Sequence, residues 1–162
     1  MAGRLVIVGA GQAAFSLGAK LRALKDERPI TMIGSEDVLP YQRPPLSKKY
    51  LMGEMTFERL EFRPAEWFAE NDVDIRLSTW VEEIDRAAKT VRMQDGSKLS
   101  YEKLVLATGA TPRTLPAGIG GDLDGVLTVR DKRDADRLMG EMKPGRKLLV
   151  IGGGYIGLEA AA

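Results

Sequence analysis

Neither cysteine nor histidine occurs among the 162 residues. Without cysteine, this stretch holds no disulfide framework, thiolate metal site or redox dithiol. Without histidine, it holds no Ser-His-Asp triad and no imidazole-ligated metal. Redox chemistry carried out here must come from a bound cofactor. Long apolar runs are missing too. Leu5 to Val8 and Leu148 to Ile151 are typical, far short of the roughly 20 residues of a membrane span. Arg4 has no long apolar stretch behind it, so a secretory signal is not expected and the cytoplasm is the expected location. A net charge of +1 gives no reason to expect a nucleic-acid or acidic-membrane partner. The apolar fraction of 44% and charged fraction of 29% are those of an ordinary globular chain, long enough for one domain and short for two.

The opening reads as strand, tight turn and helix. Leu5-Val6-Ile7-Val8 is the continuous apolar run of a strand buried on both faces. Gly9-Ala10-Gly11 is the turn, and Leu17, Leu21 and Leu24 share one face of a helix from about Gln12 to Leu24. Ile30 to Ile33, after Pro29, reads as a second strand, so the unit is βαβ and the sheet parallel. Leu39 to Lys49 carries Pro40, Pro44 and Pro45, and predicts an ordered loop running into a short helix. Pro64 to Asn71 predicts a helix with Pro64 in its first turn. Residues 73 to 101 read as short strands, with a hairpin signal at Asp95-Gly96. Leu104 to Ala107 is another apolar strand, followed by Thr108-Gly109.

Beyond it, Pro112 to Gly125 has the composition of a linker. Asp131 to Met142 predicts an amphipathic helix with Leu138 and Met142 inward, and Lys147 to Ile151 a strand. Gly152-Gly153-Gly154-Tyr155-Ile156-Gly157 then opens a helix in which the sequence stops at Ala162. Such a unit needs a further strand, so the sequence is expected to be a fragment of a longer protein.

Gly9, Gly11 and Ala14 fit the dinucleotide pattern G-x-G-x-x-G/A. The first glycine permits the tight turn, the second lets a pyrophosphate approach bare backbone, and the small third residue lets the helix pack on the strand. The helix N-terminus offers N–H groups and a positive dipole end to phosphate. Glu36, with Asp37 beside it, follows the second strand at the position where a carboxylate accepts hydrogen bonds from ribose hydroxyls. Gly152, Gly154 and Gly157 repeat the pattern. Two such turns suggest two dinucleotides, as a flavin enzyme reduced by a nicotinamide cofactor needs.

Four segments together resemble one family: Val6 to Gly11, Arg43-Pro44-Pro45-Leu46-Ser47-Lys48, Leu104 to Gly109, and Ile151 to Glu159. They are similar to the FAD-dependent NAD(P)H:ferredoxin reductases of the putidaredoxin reductase and biphenyl dioxygenase ferredoxin reductase type. The resemblance implies an α/β, Rossmann-like FAD-binding domain of the glutathione-reductase type. That fold combines a parallel sheet with helices and a small antiparallel β-meander, here truncated. Residues 1–115 would be the first segment of the FAD domain, and 116–162 a linker and the beginning of an NAD domain. The implied cofactors are FAD and NADH, with NADPH left open, and the implied partner is a [2Fe-2S] ferredoxin feeding a cytochrome P450 or ring-hydroxylating oxygenase.

The same resemblance implies site residues. Gly9, Gly11, Ala13 and Ala14 would follow the FAD pyrophosphate. Many members carry an acid directly after the glycine that ends the second strand; here Ser35 stands there and Glu36 next, which leaves the ribose to one of the two, with Glu36 the preferred candidate. Arg43 and Lys48 would lie near the pyrophosphate and the flavin, with Lys48 paired to Glu159 as the catalytic pair. Val81 would offer its backbone to the adenine, or be a plain strand residue. Ala107, Thr108 and Gly109 would close a strand beside the cofactor. Arg130 would reach the FAD or be a surface arginine. Gly152, Gly154, Ile156 and Gly157 would receive the nicotinamide cofactor. No metal site is implied. Trp67 and Trp80 read as core or partly exposed packing residues, not as cofactor-stacking ones. Absence of cysteine argues against a disulfide reductase and against cysteine-using NADH oxidases and peroxidases. Rival readings are a rubredoxin or nitrite reductase flavin module, and a redox-sensing or partner-binding flavoprotein.

Overall fold

A computed structural model describes residues 3–162. The chain divides into two compact units: the residues up to Tyr41 with Glu61–Gly109, and Gln42–Leu60 with Ala110–Ala162. Among the described residues, no helix is long and apolar enough to cross a membrane.

The first unit holds β1 (Leu5–Val8), α1 (Gln12–Ala23), β2 (Ile30–Ile33), α2 (Ala65–Glu70), β3 (Val73–Arg76), β4 (Val81–Asp85), β5 (Thr90–Met93), β6 (Lys98–Ser100) and β7 (Lys103–Leu106). Four of these strands make a parallel sheet in the order β3-β2-β1-β7, with Leu5 opposite Ile30 on one side and Lys103 on the other. The other three form an antiparallel meander in the order β4-β5-β6.

Strand alternation sorts the apolar residues onto two faces. Leu5, Ile7, Ile30, Met32 and Val73 face Ala14 and Phe15 of α1 and Phe68 of α2. Val6 and Ile33, one residue out of phase, face Val91 and Met93 of β5. The parallel sheet is thus sandwiched between helices and meander, which is why β1 reads as an unbroken apolar run. Burying a side chain such as Ile7 or Phe68 stabilises by about 1.5–3 kcal/mol. At Gly18, where α1 lies over β2, the space a Cβ would take is filled by Met32 Cε.

Helix α1 ends at Ala23, one residue before the predicted Leu24. Lys25 takes a left-handed backbone (φ 58°), and Asp26 N–H returns to Leu21 O at 3.0 Å, which ties off the last turn. Pro64 is the N-cap of α2, just outside the first turn where it was expected. Trp67 packs beside Phe15, ring centroids 5.4 Å apart, whereas Trp80 is exposed.

The second unit holds 3-10 turns at Pro44–Ser47, Phe57–Arg59 and Ala117–Ile119, with α3 (Lys132–Glu141) and α4 (Tyr155–Ala161). Asp131 caps α3, its carboxylate accepting from Asp134 N–H. Ala135 and Leu138 are buried, but Met142 is half exposed. The helix stops at Glu141, and the Met142 backbone (ψ 78°) turns the residue off the apolar face predicted for it. Lys147 to Ile151, predicted as a strand, is not one. A strand exists through its pairing, and among the described residues none pairs with this segment; Leu148 and Leu149 lie exposed.

Candidate functional site

In the first unit, three loops leave neighbouring parallel strands at their carboxyl ends: Gly9 to Gly11 from β1, Gly34 to Glu36 from β2, and Ala107 to Gly109 from β7. Strand order reverses at β1, with β2 on one side and β7 on the other. Ligands of open α/β sheets settle in the crevice at such a reversal.

Each loop is held by backbone. Gly9 N–H donates to Ile33 O (2.7 Å) and Ala107 N–H to Val8 O (2.7 Å). Gly9 has φ +115°, and a Cβ on it would overlap Ala107 O. Glycine is required there twice over, for the backbone angle and for the approach of β7. Gly11 is the N-cap of α1, and a Cβ on it would meet nothing within 4 Å. That open space lies before a helix terminus whose N–H groups receive no side-chain cap. Ala13 is exposed and Ala14 fully buried. This is a cradle of bare backbone in front of a positive dipole end, and it suits a diphosphate.

Ser35 is exposed. Glu36 is half-buried, and its Oε2 accepts from the hydroxyl of buried Tyr41 at 2.7 Å. Ser78 N–H donates to Glu36 O and Thr79 N–H to Gly34 O, both at 2.9 Å. They run the segment leading to Val81 along the end of β2. Val81 begins β4, packs on the meander-side core and pairs with Met93. Thr108 and Gly109 are exposed, and Gly109 has φ +70°. Two residues of this edge were not among the site candidates named from the sequence. Tyr41 has no local signal. Gly34 had one, a glycine ending a strand: a Cβ on it would come within 2.5 Å of Ala10 Cβ, so it sets the spacing of the two loops.

The second unit brings the Pro44–Ser47 turn to α4. Lys48 Nζ lies 2.9 Å from Glu159 Oε2, and Ser47 Oγ donates to the same oxygen at 2.6 Å. The Ser47 hydroxyl, and then the Lys48 ammonium, hold the Glu159 carboxyl below the usual glutamate range. Arg43 donates to Arg130 O at 3.0 Å, and Arg130 N–H donates to Asp134 Oδ2 at 2.8 Å. Arg43, Ser47, Lys48, Arg130, Ile156 and Glu159 line a cleft of about 280 Å³. Ser47 was not singled out from the sequence, although it sits inside the proline segment. Behind the turn, Tyr50 donates to Asp136 Oδ1 at 2.5 Å. Burial, and then that carboxylate, push the phenol up to about 12.

Gly152 has φ +110°, Gly154 is the N-cap of α4, and a Cβ on either would meet nothing within 4 Å. A Cβ on Gly157 would come 2.8 Å from Val150 Cγ1, which is the packing reason for a third glycine.

Relatives of this chain share its sequence and its fold. The ferredoxin–NAD(+) reductase component of the anthranilate 1,2-dioxygenase system of Burkholderia cepacia is 46% identical over 97% of this chain and 38% of its own length. A rubredoxin–NAD(+) reductase of Pseudomonas putida is 39% identical over 98% of the chain and 41% of its own. The putidaredoxin reductase of a covalent complex with putidaredoxin superposes with a TM-score of 0.90 at 39% identity, over 98% of this chain and 39% of that one. The chain therefore spans about two fifths of the length of the relatives it matches. The pyridine nucleotide-disulphide oxidoreductase family matches residues 3–162, and the chain belongs to that family.

Proposed function

We propose that this chain is the opening part of a flavoprotein that carries electrons from NADH to a [2Fe-2S] ferredoxin serving a cytochrome P450 or a ring-hydroxylating oxygenase. One observation supports the reading most: the glycine turn after β1 lies at the carboxyl edge of a parallel sheet, where strand order reverses, with open space at Gly11. Residues 1–115 are assigned to an FAD domain, and 116–162 to a linker and the start of an NAD domain. A cytoplasmic setting, where NADH is supplied, belongs to the same proposal.

In this reading Gly9, Gly11 and Ala13 hold the FAD pyrophosphate at the start of α1, and buried Ala14 serves the site from behind by seating the helix on the sheet. Glu36 takes the ribose hydroxyls in preference to Ser35, because Tyr41 already orients its carboxylate. Val81 offers backbone to the adenine, and Ala107, Thr108 and Gly109 wall the site along β7. Arg43 and Arg130 bring positive charge to phosphate or flavin, and Lys48, oriented by Glu159, stands at the flavin. Gly152, Gly154, Ile156 and Gly157 receive the nicotinamide cofactor. FAD, when bound, would supply the conversion between a two-electron donor and a one-electron acceptor. The residues named bind, orient and shield; hydride transfer needs alignment and exclusion of water more than acid–base groups, so absence of histidine is no obstacle.

The test uses the full-length protein, with NADH-driven reduction of a [2Fe-2S] ferredoxin and of a rubredoxin followed by visible absorbance. Faster reduction of the ferredoxin is expected. Faster reduction of the rubredoxin supports the second reading, a rubredoxin reductase, which the 39% identical relative favours. A flavin-loaded protein that reduces neither overturns both.

A further inference from the structure

Glu159 Oε2 receives two donors, and the two differ in how firmly they are held. Ser47 is buried at the end of a 3-10 turn that begins with Pro44 and Pro45. Its hydroxyl swings on a single torsion and has little freedom left to lose. The Lys48 side chain is 51% exposed, and among the described residues its ammonium otherwise touches Pro44 O alone, at 3.4 Å. An exposed lysine–carboxylate pair holds its own geometry weakly. Control therefore runs from Ser47 to Glu159 to Lys48.

We propose that Ser47 is a positioning residue, whose hydroxyl fixes the Glu159 carboxylate and, through it, the Lys48 ammonium at the cleft assigned above to the flavin. The identity of the cleft's occupant rests on that assignment; the hydrogen bond does not. The cleft's other charged residues are Arg43 and Arg130, and arginine stays charged across the acid range. A change in the titration of Glu159 therefore reports on Ser47 and Lys48.

The experiment takes the full-length flavoprotein with Ser47→Ala, Ser47→Thr, Glu159→Gln and Glu159→Ala. The carboxyl infrared band lost in Glu159→Gln is titrated in the wild type and in both Ser47 variants. Ser47→Ala should raise its midpoint by about one pH unit, and Ser47→Thr, which keeps the hydroxyl, should restore it. At saturating NADH, Ser47→Ala should slow flavin reduction about fivefold with flavin content and KM unchanged. In a Glu159→Ala background the same change should cost less than about twofold. The proposal is overturned if Ser47→Ala leaves midpoint and rate unmoved, or slows reduction equally in the Glu159→Ala background. Should Ser47→Thr fail to fold, the Ser47→Ala and Glu159→Ala cycle decides. Should the wild type not be reduced by NADH at all, the flavin assignment falls, and the infrared midpoint still decides the role of Ser47.

Discussion

Two glycine turns with one sequence pattern sit in opposite surroundings. Gly9 and Gly152 have nearly the same backbone angle, φ +115° and +110°, and both turns lead through an extended N-cap glycine into a helix. Around Gly9 the backbone of β7 leaves no room for a Cβ; around Gly152, Gly153 and Gly154 the space is open. The first turn leaves a strand paired on both sides, the second a segment that has no strand partner among the described residues. The turn's shape is therefore written locally, in the glycines. Whether it becomes the floor of a crevice depends on strands remote in the chain.

Four predictions break or sharpen this contrast. Gly9→Ala combines backbone strain with a collision and should cost about 4 kcal/mol or more, whereas Gly152→Ala pays strain alone, about 1–3 kcal/mol. Chemical denaturation of the full-length variants measures both, and equal losses would erase the distinction. Gly11→Val meets open space, so its stability cost should stay near 1 kcal/mol, that of a poorer N-cap. Its flavin absorbance should nevertheless vanish; retained flavin removes Gly11 from the site.

The third prediction concerns Tyr50, whose ionisation is raised from 10.0 to about 12. A raised phenol contributes stability fully below pH 10 and loses it as pH climbs toward 12. The alkaline limb of denaturation should therefore steepen across that window and flatten in Tyr50→Phe. The smallest effect belongs to Glu159. Its lowered ionisation contributes above the ordinary glutamate value of 4.5 and fades as pH falls through the lowered one. Acid denaturation curves of the wild type and Glu159→Gln should part only above that range, and slightly, because the pair is exposed.

Much of the first unit was legible because its signals are short-range. The apolar runs of β1 and β2 coincide with the observed strands, and Asp95-Gly96 joins β5 to β6 as a hairpin. The second unit was less so. Lys147 to Ile151 has the composition of a strand, but composition cannot supply a neighbour to pair with. Met142 has the right helical spacing, but the helix ends one residue earlier. At the candidate site, the glycines, Glu36 and the proline segment carried a signal. Tyr41 and Ser47 did not, because each matters through one hydrogen bond to a carboxylate, and ordinary tyrosines and serines look the same in sequence.

Strand β1 is made well before its neighbour β7, which ends only at Leu106. The wall of Ala107 against Gly9 is consequently among the last features of the first unit to leave the ribosome. Until then the turn after β1 is a loop with one side missing, and pairings between such distant segments form slowly. If the turn after β1 holds the proposed flavin, loading follows synthesis of β7, and a nascent chain halted before residue 107 is expected to carry none.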